Sequence, residues 1–215
     1  MQGVLVAVIA IAVGALAGRG IRALLATIRR GMVLPAGPPE LATAVITVIG
    51  AGTAWGTPRL FLVALAGFLL VALGWIDVVH HRLPDAITLP AIPVAVAVVA
   101  VTALAVPGSG SLLRAGLCGL VLWVAFAAVA RISPRSMGLG DVKLVPTLGI
   151  LTGYESVASA VVAVGLAFVL GALVAVAGLL LRRVTLSSAI PFGPFLLAGC
   201  WLALALPGIE DLLLS

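Results

Sequence analysis

Seven acids are scattered along this chain: Glu40, Asp77, Asp85, Asp141, Glu155, Glu210 and Asp211. Two have neighbours that point to chemistry. Asp77 directly follows the apolar run LFLVALAGFLLVALGWI. Asp141 sits in SMGLGDVKL, residues 136–144, just after Gly138 and Gly140. An ionisable side chain at the edge of an apolar span is costly unless it is paired or faces water. Two carboxylates within hydrogen-bond reach do not both ionise easily, so they share a proton and titrate as a unit. The ionised member can take a proton from water while the protonated member donates to a carbonyl under attack. That arrangement hydrolyses a peptide bond with neither a metal nor a covalent intermediate. Gly138 and Gly140 would let backbone approach backbone, so an extended substrate could lie against Asp141. A structural account competes with this one. Asp141 could cap the helix that follows, accepting amide hydrogen bonds and complementing the helix dipole, with Asp77 paired to an Arg or Lys. The residues alone leave both accounts open.

The elements that must position these acids are membrane spans. The chain has 215 residues, 63% of them hydrophobic and 9% charged, with a mean hydropathy of +1.35. Soluble domains carry roughly 25% charged residues, so too few charges are present here for a water-facing shell. The net charge of +5 does not imply nucleic acid, because the basic residues are spread over the loops and form no patch. Cys118 and Cys200 lie in apolar segments and imply neither a disulfide framework nor a metal site. His80 and His81 read as solvated loop residues, with no Ser or Cys partner for a triad.

Eight apolar segments are expected, at about 3–17, 41–56, 60–76, 86–106, 112–130, 143–153, 156–181 and 191–206. The first lacks the charged start and cleavage site of a signal peptide and is read as a retained span. Residues 18–40 are expected to form a short basic loop, in which IRALLATIRR could lie as an amphipathic helix on anionic lipid. Segment two, rich in Ala, Thr and Gly, suits close helix packing. Pro90 and Pro93 are expected to kink segment four. Segment six, as bounded, is too short to cross a bilayer, and an earlier start is the alternative. The fold expected is an all-α polytopic membrane protein, one transmembrane domain over residues 1–215.

Positive charges orient it. With the N-terminus outside, the inner loops hold Arg19, Arg22, Arg29, Arg30, Arg82, Arg131, Arg135, Lys143, Arg182 and Arg183, and the outer loops only Arg59 and Arg114. Both termini then lie outside, and Asp77, Asp85 and Asp141 all fall at the cytoplasmic face. Glu155, Glu210 and Asp211 read as ordinary outer charges.

Taken together, two motifs carry a resemblance. Asp77 ends a span and is followed by Leu83-Pro84-Asp85 and then AITLP; GLGDVKL follows at residues 138–144, and PFGPF at 191–195 precedes the last span. In these features the chain resembles the type IV prepilin peptidases, which are GxGD-type intramembrane aspartic proteases. The resemblance implies that Asp77 and Asp141 are the catalytic pair. Asp85, with Pro84, would be structural or positioning, as a cap of segment four. Gly138, Gly140 and Lys143 would stand near the site, with Lys143 and Arg82 either biasing the acids or anchoring the inner face. It implies a prepilin or pseudopilin substrate, cut after its basic leader where its apolar helix enters the bilayer, in the plasma membrane of a prokaryote.

No metal or other cofactor is expected. Larger members carry a cytoplasmic region with paired CxxC motifs, linked to N-methylation from S-adenosylmethionine. Residues 18–40 contain no cysteine. A short, peptidase-only form is therefore expected. Two other readings share some of these features. A presenilin-like protease would have a Tyr-Asp and a Pro-Ala-Leu motif, but Ile76 precedes Asp77 and PFGPF stands at the end. A small proton- or cation-coupled transporter would place its acids near the midplane.

Overall fold

The structure, a computed structural model, describes residues 2–28, 32–133, 137–183, 185, 190–206 and 208–214. Arg29, Arg30, Arg135 and Ser136, which entered the readings above, lie outside the described residues. Among the described residues there are nine helices: α1 (Gln2–Thr27), α2 (Pro38–Ala54), α3 (Arg59–His80), α4 (Asp85–Ala105), α5 (Leu112–Ile132), α6 (Leu139–Glu155), α7 (Val157–Leu180), α8 (Gly193–Ala205) and the short α9 (Ile209–Leu214). Five of them, α1, α3, α4, α5 and α7, are long and apolar enough to cross a bilayer. The protein is all-α and polytopic.

The boundaries differ from the expected ones in two places. Helix α1 runs unbroken through residues 18–27, so this stretch is not a loop. Gly18 survives inside the helix because α2 needs the space: a methyl there would stand 2.5 Å from the Glu40 Cα. Arg22 Nε then reaches Glu40 Oε1 at 3.0 Å and ties the two helices together. Helix α6 begins at Leu139, not at Lys143, so Gly140 and Asp141 belong to its first turn. Gly138 caps it in an extended conformation, and the acid near the amide end suits the helix dipole. Helix α4 continues through Pro90 and Pro93.

Helix pairs form by close backbone approach. Without a hydrophobic drive between helices in lipid, small residues at the crossing supply van der Waals contact. Gly14 and Gly18 admit α2 against α1, where a methyl on Gly14 would stand 2.6 Å from the Ala44 Cα. Gly149 and Gly153 do the same for α6 on α5; a methyl on Gly149 would stand 2.7 Å from the Gly119 Cα, and Gly153 packs on Cys118. Gly199 seats α8 on the Ala163 carbonyl of α7.

The core is built from α3, α6 and α8, which also contact one another. Nearly all of α6 from Val142 to Tyr154 is buried. Helices α1, α5 and α7 present long exposed apolar faces, such as Leu113, Leu120 and Val121 on α5, as lipid-facing helices do.

One end of this core is locked by charge. Arg114 donates from Nε to the Gly153 carbonyl at 2.8 Å and from Nη2 to the Tyr154 and Glu155 carbonyls at 2.6 Å each. These are the orphan carbonyls at the C-terminus of α6. Arg59, opening α3, grips Glu155 Oε2 at 2.7 and 2.9 Å. Glu155 is thus not a free loop charge. The acids expected to do chemistry sit at the opposite ends of the same two helices.

Candidate active site

Asp77 lies in the last turn of α3, and Asp141 in the first turn of α6. The two helices run so that these ends meet. The meeting point is Gly193, the first residue of α8. A methyl on Gly193 would stand 2.6 Å from Asp77 Oδ2 and 3.4 Å from Asp141 Oδ1. The two carboxylate oxygens therefore lie within about 6 Å of each other, close enough for each charge to act on the other. Both side chains are buried, at 5% and 8% exposure.

Each acid also has a backbone amide. The Gly138 amide lies beside the Asp141 carboxylate, and a methyl on Gly138 would stand 3.3 Å from Asp141 Oδ2. The Gly193 amide lies beside Asp77. Asp141 thus sits where a helix-capping acid would and still faces Asp77. The other half of the structural account does not hold. Among the described residues the ion pairs are Arg22–Glu40, Arg59–Glu155 and Lys143–Asp85, and Asp77 is in none of them.

The segment between α3 and α4 closes over this point. Its turn is made by His81, held in the left-handed region at φ 50°, whose N–H returns to the Asp77 carbonyl at 2.8 Å. His80, His81 and Arg82 are exposed, and His81 is near enough for its charge to act on Asp77. Leu83 turns inward and is 8% exposed. Its Cβ is 3.0 Å from where a methyl on Gly140 would stand, and its Cδ1 is 3.2 Å from the same point on Gly193. Leu83 therefore fills the gap between the two glycines, beside the acids. Pro84 caps α4 in an extended conformation, and Asp85 begins it. The Asp85 carboxylate does not cap amides at that end; it receives Lys143 Nζ at 2.8 Å on both oxygens.

Leu83 and Gly193 are the residues that reading the sequence for chemistry passed over. Their signal was available but ambiguous. A leucine in a polar loop and a glycine between prolines both read as turn residues until the acids are placed.

A family model described as the type IV leader peptidase family matches residues 63–181. Proteins named "Prepilin leader peptidase/N-methyltransferase" are similar to this chain. The one from Aeromonas salmonicida (strain A449) is 33% identical over 169 residues, covering 77% of this chain and 56% of its own. The one from Aeromonas hydrophila is 32% identical over 170 residues, with the same coverages. That from Pseudomonas putida is 34% identical over 135 residues, covering 62% of this chain and 46% of its own. The chain thus spans about half the length of the curated relatives it matches. No solved structure matches it significantly. Five apolar helices of spanning length and bacterial relatives make it a multi-pass protein of a prokaryotic plasma membrane. With the matched region covering both Asp77 and Asp141, the chain belongs to the type IV leader peptidase family.

Proposed function

We propose that this protein is a membrane-embedded aspartic endopeptidase that removes the basic leader of type IV pilin-like precursors. The observation that carries this reading is the convergence of Asp77 and Asp141, from different helices, on one buried point at Gly193. In the proposed mechanism the pair holds one proton. The ionised carboxylate takes a proton from a water, which attacks the scissile carbonyl, and the other carboxyl donates to the carbonyl oxygen. The amine leaves with a proton returned by the pair. Neither a metal nor S-adenosylmethionine takes part, and N-methylation is not proposed.

The remaining roles follow from the same reading. Gly138 and Gly140 leave room for substrate backbone beside Asp141 once the Leu83 side chain moves off Gly140. Lys143, Asp85 and Pro84 shape the approach. All eight of α1 to α8 cross the bilayer as one domain, with both termini outside. Ten of the twelve Arg and Lys residues then fall on the cytoplasmic side, together with the acids. The precursor keeps its leader in the cytoplasm and its apolar helix in the lipid.

The test is cleavage of a pilin-like precursor in membranes, followed by the change in its mass. Asp77→Asn and Asp141→Asn should each lower the rate by at least about 100-fold. A parental rate in either variant would end the paired-acid reading.

A further inference from the structure

The geometry points to Gly193 as a positioning residue of the acid pair, set there by the rigid PFGPF turn. This deepens the peptidase reading and rests on it.

Glycine is not required at 193 by backbone conformation. The glycines at positive φ among the described residues are Gly37, Gly56, Gly108 and Gly208. Position 193 opens a helix in a conformation open to any residue, between Phe192 as cap and Pro194 in the first turn. What position 193 lacks is space. A methyl there would meet Asp77 Oδ2 at 2.6 Å, a separation at which the carboxyl has to shift, then Leu83 Cδ1 at 3.2 Å and Asp141 Oδ1 at 3.4 Å. Its amide meanwhile lies beside Asp77.

The turn has little freedom to yield. The Phe192 ring packs at a tilt against Phe168 of α7 with centroids 5.0 Å apart, and against Phe195 at 6.4 Å. Phe192 and Phe195 both press on Gly171 of α7, each 3.5 Å from where its methyl would be. Pro194 fixes the first turn of α8. Anchored on α7 in this way, the turn holds a bare Cα against the gap between the two carboxyls. A side chain at 193 would have to displace the Asp77 carboxyl, and so change its spacing from Asp141, because the turn itself is held by the aromatic anchor.

The experiment compares Gly193→Ala with Gly171→Ala, which loads the same turn from the α7 side at ordinary contact distance. The probes are two peptides of basic leader and apolar start. One has a hydroxyethylene unit in place of the scissile bond, and the other an ethylene unit without the hydroxyl. The hydroxyl mimics the tetrahedral intermediate and reads the spacing of the two acids. Gly193→Ala should lower kcat about 100-fold, as a displacement of about 1 Å does. It should weaken the hydroxyl peptide in parallel and leave the ethylene peptide bound as in the parent, whereas Gly171→Ala changes none of these. Unchanged kcat, or equal weakening of both peptides, would overturn the proposal.

A second measurement covers the case in which Gly193→Ala does not fold. In the Asp77→Ala background the collision is removed, so adding Gly193→Ala should leave the melting temperature of Asp77→Ala unchanged. A drop as large as in the parent would place the clash elsewhere and overturn the proposal. Retained cleavage by Asp77→Asn would instead sink the peptidase reading while leaving this stability cycle intact.

Discussion

Lys143 holds both carboxylate oxygens of Asp85 at 2.8 Å, across 58 residues of chain. It thereby joins the first turn of α6, two residues beyond Asp141, to the start of α4 and the LPD loop. The pair is exposed, at 40% and 57% of the side chains, so its contribution to stability is small, about 0–1 kcal/mol. Its value is in register between the two motifs. Lys143→Ala and Asp85→Ala should each slow cleavage by less than about tenfold, with the double variant no slower than either single one. The reversed pair, Lys143→Asp with Asp85→Lys, should recover most of the rate. Additive losses in a precursor-cleavage assay would show that the two side chains act separately.

Leu83 packs between Gly140 and Gly193 beside the acids, on the place that the proposed mechanism gives to substrate backbone. On that reading the leucine covers the acids and moves aside before a peptide enters. Leu83→Ala should therefore lower KM while costing about 2–5 kcal/mol of stability, as loss of a buried leucine does. Leu83→Trp should raise KM strongly. Steady-state cleavage against precursor concentration separates the two effects. A lower kcat at unchanged KM in Leu83→Ala would mean that the leucine supports the acids instead of covering them.

The glycine crossings predict a division between stability and activity. Gly14→Ala forces α1 from α2, and Gly149→Ala forces α6 from α5, each by a methyl placed under 3 Å from backbone. Overpacking of this kind costs about 1–3 kcal/mol. Both variants should melt lower in detergent. Only Gly149→Ala should lose turnover per folded molecule, because α6 carries Asp141 and neither α1 nor α2 carries an acid of the pair. Equal loss of turnover in both would show that α1 and α2 also hold the site.

The elements legible in the sequence are those whose cause is local. Every apolar segment expected is a helix, because a run of apolar residues in this composition has no other way to satisfy its backbone. Asp77 and Asp141 stood out because an acid at the end of such a run is expensive. Helix ends were less legible. Hydropathy counts apolar residues and does not register that α6 and α8 are covered by protein, so short or glycine-bearing helices suffice there. The start of α6 was hidden because GLGD has low helix propensity, which burial and the Gly138 cap override. Gly193, Leu83 and the Asp85–Lys143 pair were illegible for a different reason: each depends on which distant helix arrives beside it.

The Arg59–Glu155 ion pair also serves as a ruler. It ties the far ends of α3 and α6 to one level. Counting at about 1.5 Å per residue, Asp77 stands about 27 Å from Arg59 along α3, and Asp141 about 21 Å from Glu155 along α6. The hydrocarbon slab is roughly 30 Å thick. Measured from that level against such a slab, Asp77 would stand about 3 Å and Asp141 about 9 Å short of its other boundary. Under the proposed function, a precursor would not have to be lifted out of the bilayer to be cut; its bond would have only to reach that depth.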